Sequence, residues 1–303
     1  MLFRILALPA TVAASVISPR SSGTTCENPA VRKEWRTLST DERNSYISAV
    51  KCLATKPSML GLNTTLYDDF PYVHNALNDD IHFVASFLPW HRYFVHIYEQ
   101  TLKDCGYTGV AAYWDWTLDS DDTSKSSIWD PITGVGGNGS PEKTVQIGWS
   151  TYKCVVDGPF KDLVPAYVTN TYQPHCLRRT FNNGTEQIGN MLSEAYTPDA
   201  VAKINALTDY VNFHNKLEGG PHGAIHSAVA GDMMPATSPN GKFSEDPETR
   251  TNAYGGIKTQ SRPGQPAPAE ATLDDILPMA KLAKDIPVRD VMSTQTDLLC
   301  YTY

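Results

Sequence analysis

The chain has 303 residues, with 25 Lys+Arg against 33 Asp+Glu and 41% apolar residues. That is the composition of a folded globular protein, not of a disordered or fibrous one. The net charge of −8 leaves no basic face to neutralise phosphates, so nucleic acid is not an expected partner.

Arg4 precedes a small, apolar stretch over 5–17, broken by Pro9 and followed by Ser18-Pro19-Arg20. This predicts a secretory leader over 1–18, too short and interrupted to span a bilayer. No other stretch approaches membrane length, so a secreted protein outside the membrane is expected, a monomer or small homo-oligomer. No repeat or linker divides 19–303, which reads as one domain. In an oxidising compartment Cys26, Cys52, Cys105, Cys154, Cys176 and Cys300 form up to three disulfides. Six cysteines allow about 15 pairings; a Cys154–Cys176 loop and a Cys26–Cys300 tie between the ends are reasonable among them. Sequons at Asn63, Asn138 and Asn183 fit a glycosylated surface.

Ser39-Thr40-Asp41-Glu42 is a capping box ahead of Tyr46, Ile47, Val50 and Leu53, predicting a helix over 40–54. A second over 84–102 follows from Phe87, Trp90, Phe94, Ile97 and Tyr98 recurring at threes and fours. Residues 117–150 read as a long Asp/Ser/Gly loop. Its Gly134 to Gly139 run matches G-x-G-x-x-G but lacks the strand-to-helix context of a dinucleotide site. Asp119, Asp121 and Asp130 have partial calcium-loop spacing, with Ser124 where that loop needs glycine. A third helix starts at Thr197-Pro198 and carries Val201, Ile204, Leu207 and Val211 to Gly219-Gly220. A fourth runs over 222–229. Residues 261–270 are Pro-rich and read as extended. No G-x-S-x-G or Walker sequence is present, which leaves the common hydrolase and nucleotide chemistries without an anchor.

The eight histidines are clustered. His74, His82 and His91 lie within 18 residues, the last inside an aromatic helix that desolvates it, keeping the ring neutral and able to offer a nitrogen to a metal. His222 and His226 stand at i and i+4, so both imidazoles leave one helix face and can share an ion. Gly223 follows His222 where H-E-x-x-H needs its glutamate, so a zinc protease is not indicated. Imidazole groups without thiolate or carboxylate suit copper, zinc or iron, with copper favoured by affinity.

Phe83-Val84-Ala85-Ser86-Phe87-Leu88-Pro89-Trp90-His91-Arg92, followed by Glu99 and Ala112-Tyr113-Trp114-Asp115-Trp116, resembles the first copper segment of the tyrosinase and catechol oxidase family. His214-Asn215-Lys216-Leu217-Glu218-Gly219-Gly220-Pro221-His222-Gly223-Ala224-Ile225-His226 resembles the start of the second. The likeness is to short secreted fungal catechol oxidases. It runs over about 36–240 and resumes in Leu273-Asp274-Asp275-Ile276-Leu277-Pro278 and Cys300-Tyr301-Thr302-Tyr303.

The resemblance implies a mainly α fold whose four-helix bundle holds two copper ions, each with three histidines, that together bind dioxygen. His74, His82 and His91 would hold the first copper, and His222 and His226 would belong to the second. It implies oxidation of o-diphenols to o-quinones, with a small phenol and dioxygen as partners. In the family a third histidine for the second copper follows in D-P-x-F-x-x-H-H; here Asn240 is followed by Gly241-Lys242-Phe243-Ser244-Glu245-Asp246-Pro247, and no histidine occurs after His226. The last bundle helix is therefore expected to be absent or disrupted around 240–250, and a one-copper or metal-free, inactive family member is the alternative. Gly223 stands where an asparagine often helps monophenol hydroxylation, which favours o-diphenols. Asp80 replaces the cysteine that forms a thioether in some relatives. His96 is expected to be structural and His175 to lie on the surface.

Overall fold

The computed structural model describes residues 26–184, 187–234 and 254–303. The expected leader and the 240–250 disruption lie outside the described residues. Among the described residues seven α-helices run in chain order: α1 Thr40–Leu53, α2 Leu66–Ala76, α3 Asn78–Ile81, α4 Phe87–Asp104, α5 Pro198–Asn205, α6 Tyr210–Leu217 and α7 Gly223–Val229. Strands among the described residues occur in two-stranded pairs, so the fold is mainly α.

The α1 start follows the expected chemistry: Ser39 Oγ accepts from the Glu42 amide at 3.2 Å and Glu42 Oε2 accepts from the Ser39 amide at 2.8 Å, satisfying two donors that have no partner inside the helix. α4 is the central helix. Trp90, Phe94 and Ile97 are buried in one cluster with Phe70 and Val73 of α2 and with Leu277, Met279, Val288 and Val291 of the C-terminal segment. Leu102 packs with Val50 and Leu53 of α1. Fully burying each such side chain contributes about 1.5–3 kcal/mol.

The C-terminal segment closes over α4 through side chains reaching backbone carbonyls. Trp90 Nε1 donates to Pro278 O at 2.7 Å, Arg92 Nη1 to Val291 O at 2.6 Å, and Tyr93 Oη to Lys284 O at 3.1 Å. Ala30 and Tyr301 pair in a short parallel bridge beside the Cys26–Cys300 disulfide. The other disulfides are Cys52–Cys105 and Cys154–Cys176. Because Cys26 and Cys300 are 274 residues apart, their link removes a very large unfolded loop. Replacing both with serine is expected to lower stability by about 3–5 kcal/mol, read as a fall in the thermal midpoint, and the tail should become the first region to exchange amide hydrogens.

Three elements differ from the sequence expectation. α2, which the sequence reading did not include, is capped by Thr65, whose amide and hydroxyl donate to Asp68 Oδ2 at 3.1 and 2.5 Å, and it holds Pro71, a residue that normally interrupts a helix. The expected third helix is split into α5 and α6, because Asp209 Oδ1 accepts from the Val211 and Asn212 amides and restarts the helix. Part of the long 117–150 loop is a hairpin, Ser140–Ile147 on Ser150–Cys154, turned at Gly148, whose φ of +57° suits glycine.

Candidate metal centre

α2 carries His74 in its last turn, His82 caps α3, and His91 follows in the second turn of α4. Their three side chains are buried, and the ligating nitrogens lie within 4.8 Å of one another. Among the described residues this is the one group of three or more His, Cys, Asp or Glu placed to hold an ion. His91 Nδ1 donates to Phe87 O at 2.8 Å and His82 Nδ1 to Asn78 O at 3.3 Å. A carbonyl only accepts, so each neutral ring carries its proton on Nδ1 and presents a bare Nε2.

The second pair stands on a different device. Between α6 and α7 the backbone widens into one π turn, Glu218–His222, with Gly220 in a non-helical conformation and Pro221 inside the turn; such bulges often mark functional sites. His222 Nδ1 donates to Glu218 O at 3.2 Å and His226 Nδ1 donates to Met233 O. Both rings then turn unprotonated Nε2 atoms toward each other, 3.1 Å apart. Two lone pairs at that distance repel unless a cation sits beside them, so the donor set fits a metal. The two clusters adjoin: the His82 and His222 rings stack at 6.4 Å, and Phe87 lies 5.1 Å from His222.

Burial disfavours the charged form of His82, His91, His222 and His226. Burial draws His82 down to about 4, with His226 adding to the effect and the Asn78 carbonyl opposing it. Burial, and then the neighbouring imidazoles, hold His91 and His222 well below the ordinary histidine value; burial also lowers His226. Neutral imidazole is the form that binds a metal.

Of the remaining histidines, His96 stacks near Tyr93 with ring centroids 6.3 Å apart. His214 is buried, and its Nδ1 has no partner among the described residues; its pKa is lowered to about 4 by burial, against the nearby Asp209. His175 corrects the surface expectation: it is 4% exposed, with Nδ1 on Gln173 O at 2.7 Å and Nε2 on Asp232 Oδ1 at 3.0 Å. Asp119, one of the calcium-loop residues, has its Oδ2 taken up by Trp114 Nε1 and Ser126 Oγ, both at 2.6 Å.

Glu218, in the segment between His214 and His226, is 1% exposed. Its Oε1 accepts from the Phe83 amide at 2.8 Å, Oε2 has no hydrogen-bond partner among the described residues, and burial raises the carboxyl to about 8. On the other side of the same peptide link, Gln260 Nε2 donates to His82 O at 3.0 Å. Phe83 has a φ of +55°, a costly conformation for an aromatic residue, and these two bonds hold it. Only the i to i+4 spacing of Glu218 and His222 hinted at its place; Gln260, far along the chain, left no sequence signal.

Helices thus bring a three-histidine group and a histidine pair side by side, a donor set suited to a transition metal. The family model for the common central domain of tyrosinase matches residues 64–241. The tyrosinase-like protein phomQ1′ of Diaporthe leptostromiformis is 40% identical over 92% of this chain and 80% of its own. The tyrosinase ustQ of Aspergillus flavus is 38% identical, with the same two coverages. Among solved structures, a polyphenol oxidase variant from Thermothelomyces thermophila superposes with a TM-score of 0.73 at 28% identity, over 91% of this chain and 88% of its own. The chain belongs to the tyrosinase family of copper oxidoreductases.

Proposed function

We propose that the chain oxidises o-diphenols to o-quinones with dioxygen, His74, His82 and His91 holding one copper and His222 and His226 contributing to a second. The observation that carries this is the pair of bare Nε2 atoms 3.1 Å apart, set beside the three-histidine group. Bound copper supplies the redox couple; two diphenols each give up two electrons and two protons, and one dioxygen is reduced to two waters. The protein's part is to present neutral, oriented imidazoles: the Phe87, Asn78, Glu218 and Met233 carbonyls accept hydrogen bonds from the Nδ1–H groups, which sets ring orientation and raises ligand basicity. Gly223 supplies no side chain to position a water next to His222, which supports o-diphenol over monophenol as substrate. Three disulfides support export to an oxidising compartment, with a single folded domain over 19–303 and glycans at the sequons.

A second reading is favoured by the histidine count. No histidine follows His226, which leaves the second pair without a third imidazole; the protein would then be a one-copper or metal-free member without oxidase activity. Elemental analysis of the secreted protein, with oxygen uptake on catechol, tests the two. Two coppers per chain, silent in electron paramagnetic resonance, and one dioxygen consumed per two catechols are expected. One copper with an isolated Cu(II) signal and no uptake would establish the second reading.

A further inference from the structure

His82, His91 and His222 each turn Nδ1 to a carbonyl four residues earlier, whereas His226 turns its Nδ1 to one seven residues later. Its acceptor, Met233 O, sits in a short 3-10 turn, Gly231–Met233, and that turn is docked on a distant strand-like segment. Thr180 N donates to Val229 O at 3.2 Å, Asn182 N to Ala228 O at 2.8 Å, and Asp232 N to Arg178 O at 3.1 Å. Gly231, at φ +60°, lies so close that a Cβ there would meet Arg178 O at 2.3 Å, so only glycine allows the approach.

The side chain of Asp232 locks the contact. Its Oδ2 accepts from the Arg178 amide at 2.7 Å; its Oδ1 accepts from Arg178 Nε at 2.8 Å and His175 Nε2 at 3.0 Å. His175 is itself held by Gln173 O, and the neighbouring Cys176 is bonded to Cys154. The carboxylate therefore ties a disulfide-anchored loop to the turn that supplies the His226 acceptor. Asp232 is 57 residues from His175 and 54 from Arg178, so this is a tertiary device and not part of a local motif.

We propose that Asp232 is a positioning residue for His226: through Arg178 and His175 it pins the Gly231–Met233 turn so that Met233 O keeps the proton on His226 Nδ1 and leaves Nε2 for the metal. The proposal rests on the reading of His226 as a copper ligand. Carbonyl and carboxylate partners behind a metal-bound imidazole set its tautomer, and losing them typically lowers metal affinity by about 10–100-fold.

The test is made on the full chain with two readouts. In the metal-free protein, nitrogen-15 histidine spectra of native and Asp232→Ala are compared; His226 is expected to be Nδ1-protonated in the native chain and to shift toward the Nε2 tautomer in the variant. In copper titrations against a competing chelator, the more weakly held copper should lose about 10–100-fold in affinity while the copper at His74, His82 and His91 is unchanged. An unaltered His226 tautomer, or equal weakening of both coppers, overturns the proposal. A native chain that takes up only one copper removes the ligand reading, and the His226 spectrum still decides whether Asp232 sets the tautomer. Should Asp232→Ala fail to fold, Asp232→Asn, which keeps one oxygen for Arg178, is expected to show the same His226 shift to a smaller extent; a native spectrum there also overturns it.

Discussion

His91→Ala is expected to abolish oxygen uptake on catechol and to remove the copper held with His74 and His82. His91 is 1% exposed, its Nδ1 is fixed on Phe87 O, and its Nε2 lies 2.9 Å from His74 Nε2. The position is therefore preorganised, and no other described imidazole stands in that three-residue group. Two remaining nitrogens leave the ion coordinatively unsaturated, so loss of affinity and loss of turnover should appear together. The metal-free variant should fold, because a neutral, desolvated ring contributes packing and not an ion pair. Undiminished copper content with undiminished oxidation would exclude His91 as a ligand. A large fall in turnover at full copper content would assign it a role other than holding the ion.

The metal-free protein is expected to lose stability steeply between about pH 6.5 and 4. His82, His96 and His214 are each drawn down to about 4, burial being the first cause in all three, and His91, His222 and His226 are also lowered. In the unfolded chain these rings titrate near 6.5. As pH falls below that value the unfolded state takes up protons first, so the stability carried by neutral imidazoles is full above about 6.5 and is lost on the way down to the folded values. For the nearly fully buried His82 and His214 the separation corresponds to about 3 kcal/mol each, a large share of the roughly 5–15 kcal/mol that hold a domain together. Glu218 acts with the opposite sign. Raised to about 8, its carboxyl favours the folded state below the unfolded carboxyl range, and that contribution fades as pH rises through 8. One carboxyl softens the slope without reversing it. Urea midpoints measured from pH 7.5 to 4 give the slope, and a flat profile would refute the expectation. Copper bound at His82, His91, His222 and His226 would compete with protons for those nitrogens, so the loaded protein should hold to lower pH, and His91→Ala should flatten the metal-free curve.

Much of the site could be read along the chain. His222 and His226 share a face because a helix repeats near four residues, and the aromatic stripe from Phe87 to Tyr98 marks α4 by the same periodicity. The Ser39 capping box located α1 to within a residue. Local chemistry also explains the misses. The sequence reading passed over α2, which holds Pro71, the Asp209 side chain divided a helix that the apolar spacing joined, and the place of His175 beside Cys176 in a loop suggested a surface that it does not occupy.

The sequence by itself determined which residues can serve a metal and the family to which they point, because ligand identity and helical spacing are properties of neighbours in the chain. Only the tertiary structure decided how those residues are oriented. His82 of the three-histidine group meets His222 across 140 positions, the C-terminal segment closes over α4, Gln260 and Glu218 clamp the peptide beside His82, and Asp232 sets the turn behind His226. Each of these contacts joins residues far apart in sequence through backbone carbonyls, amides and buried side chains. Such groups look alike in any sequence, and they acquire partners only when the apolar faces of α1, α2 and α4 pack and exclude water around them.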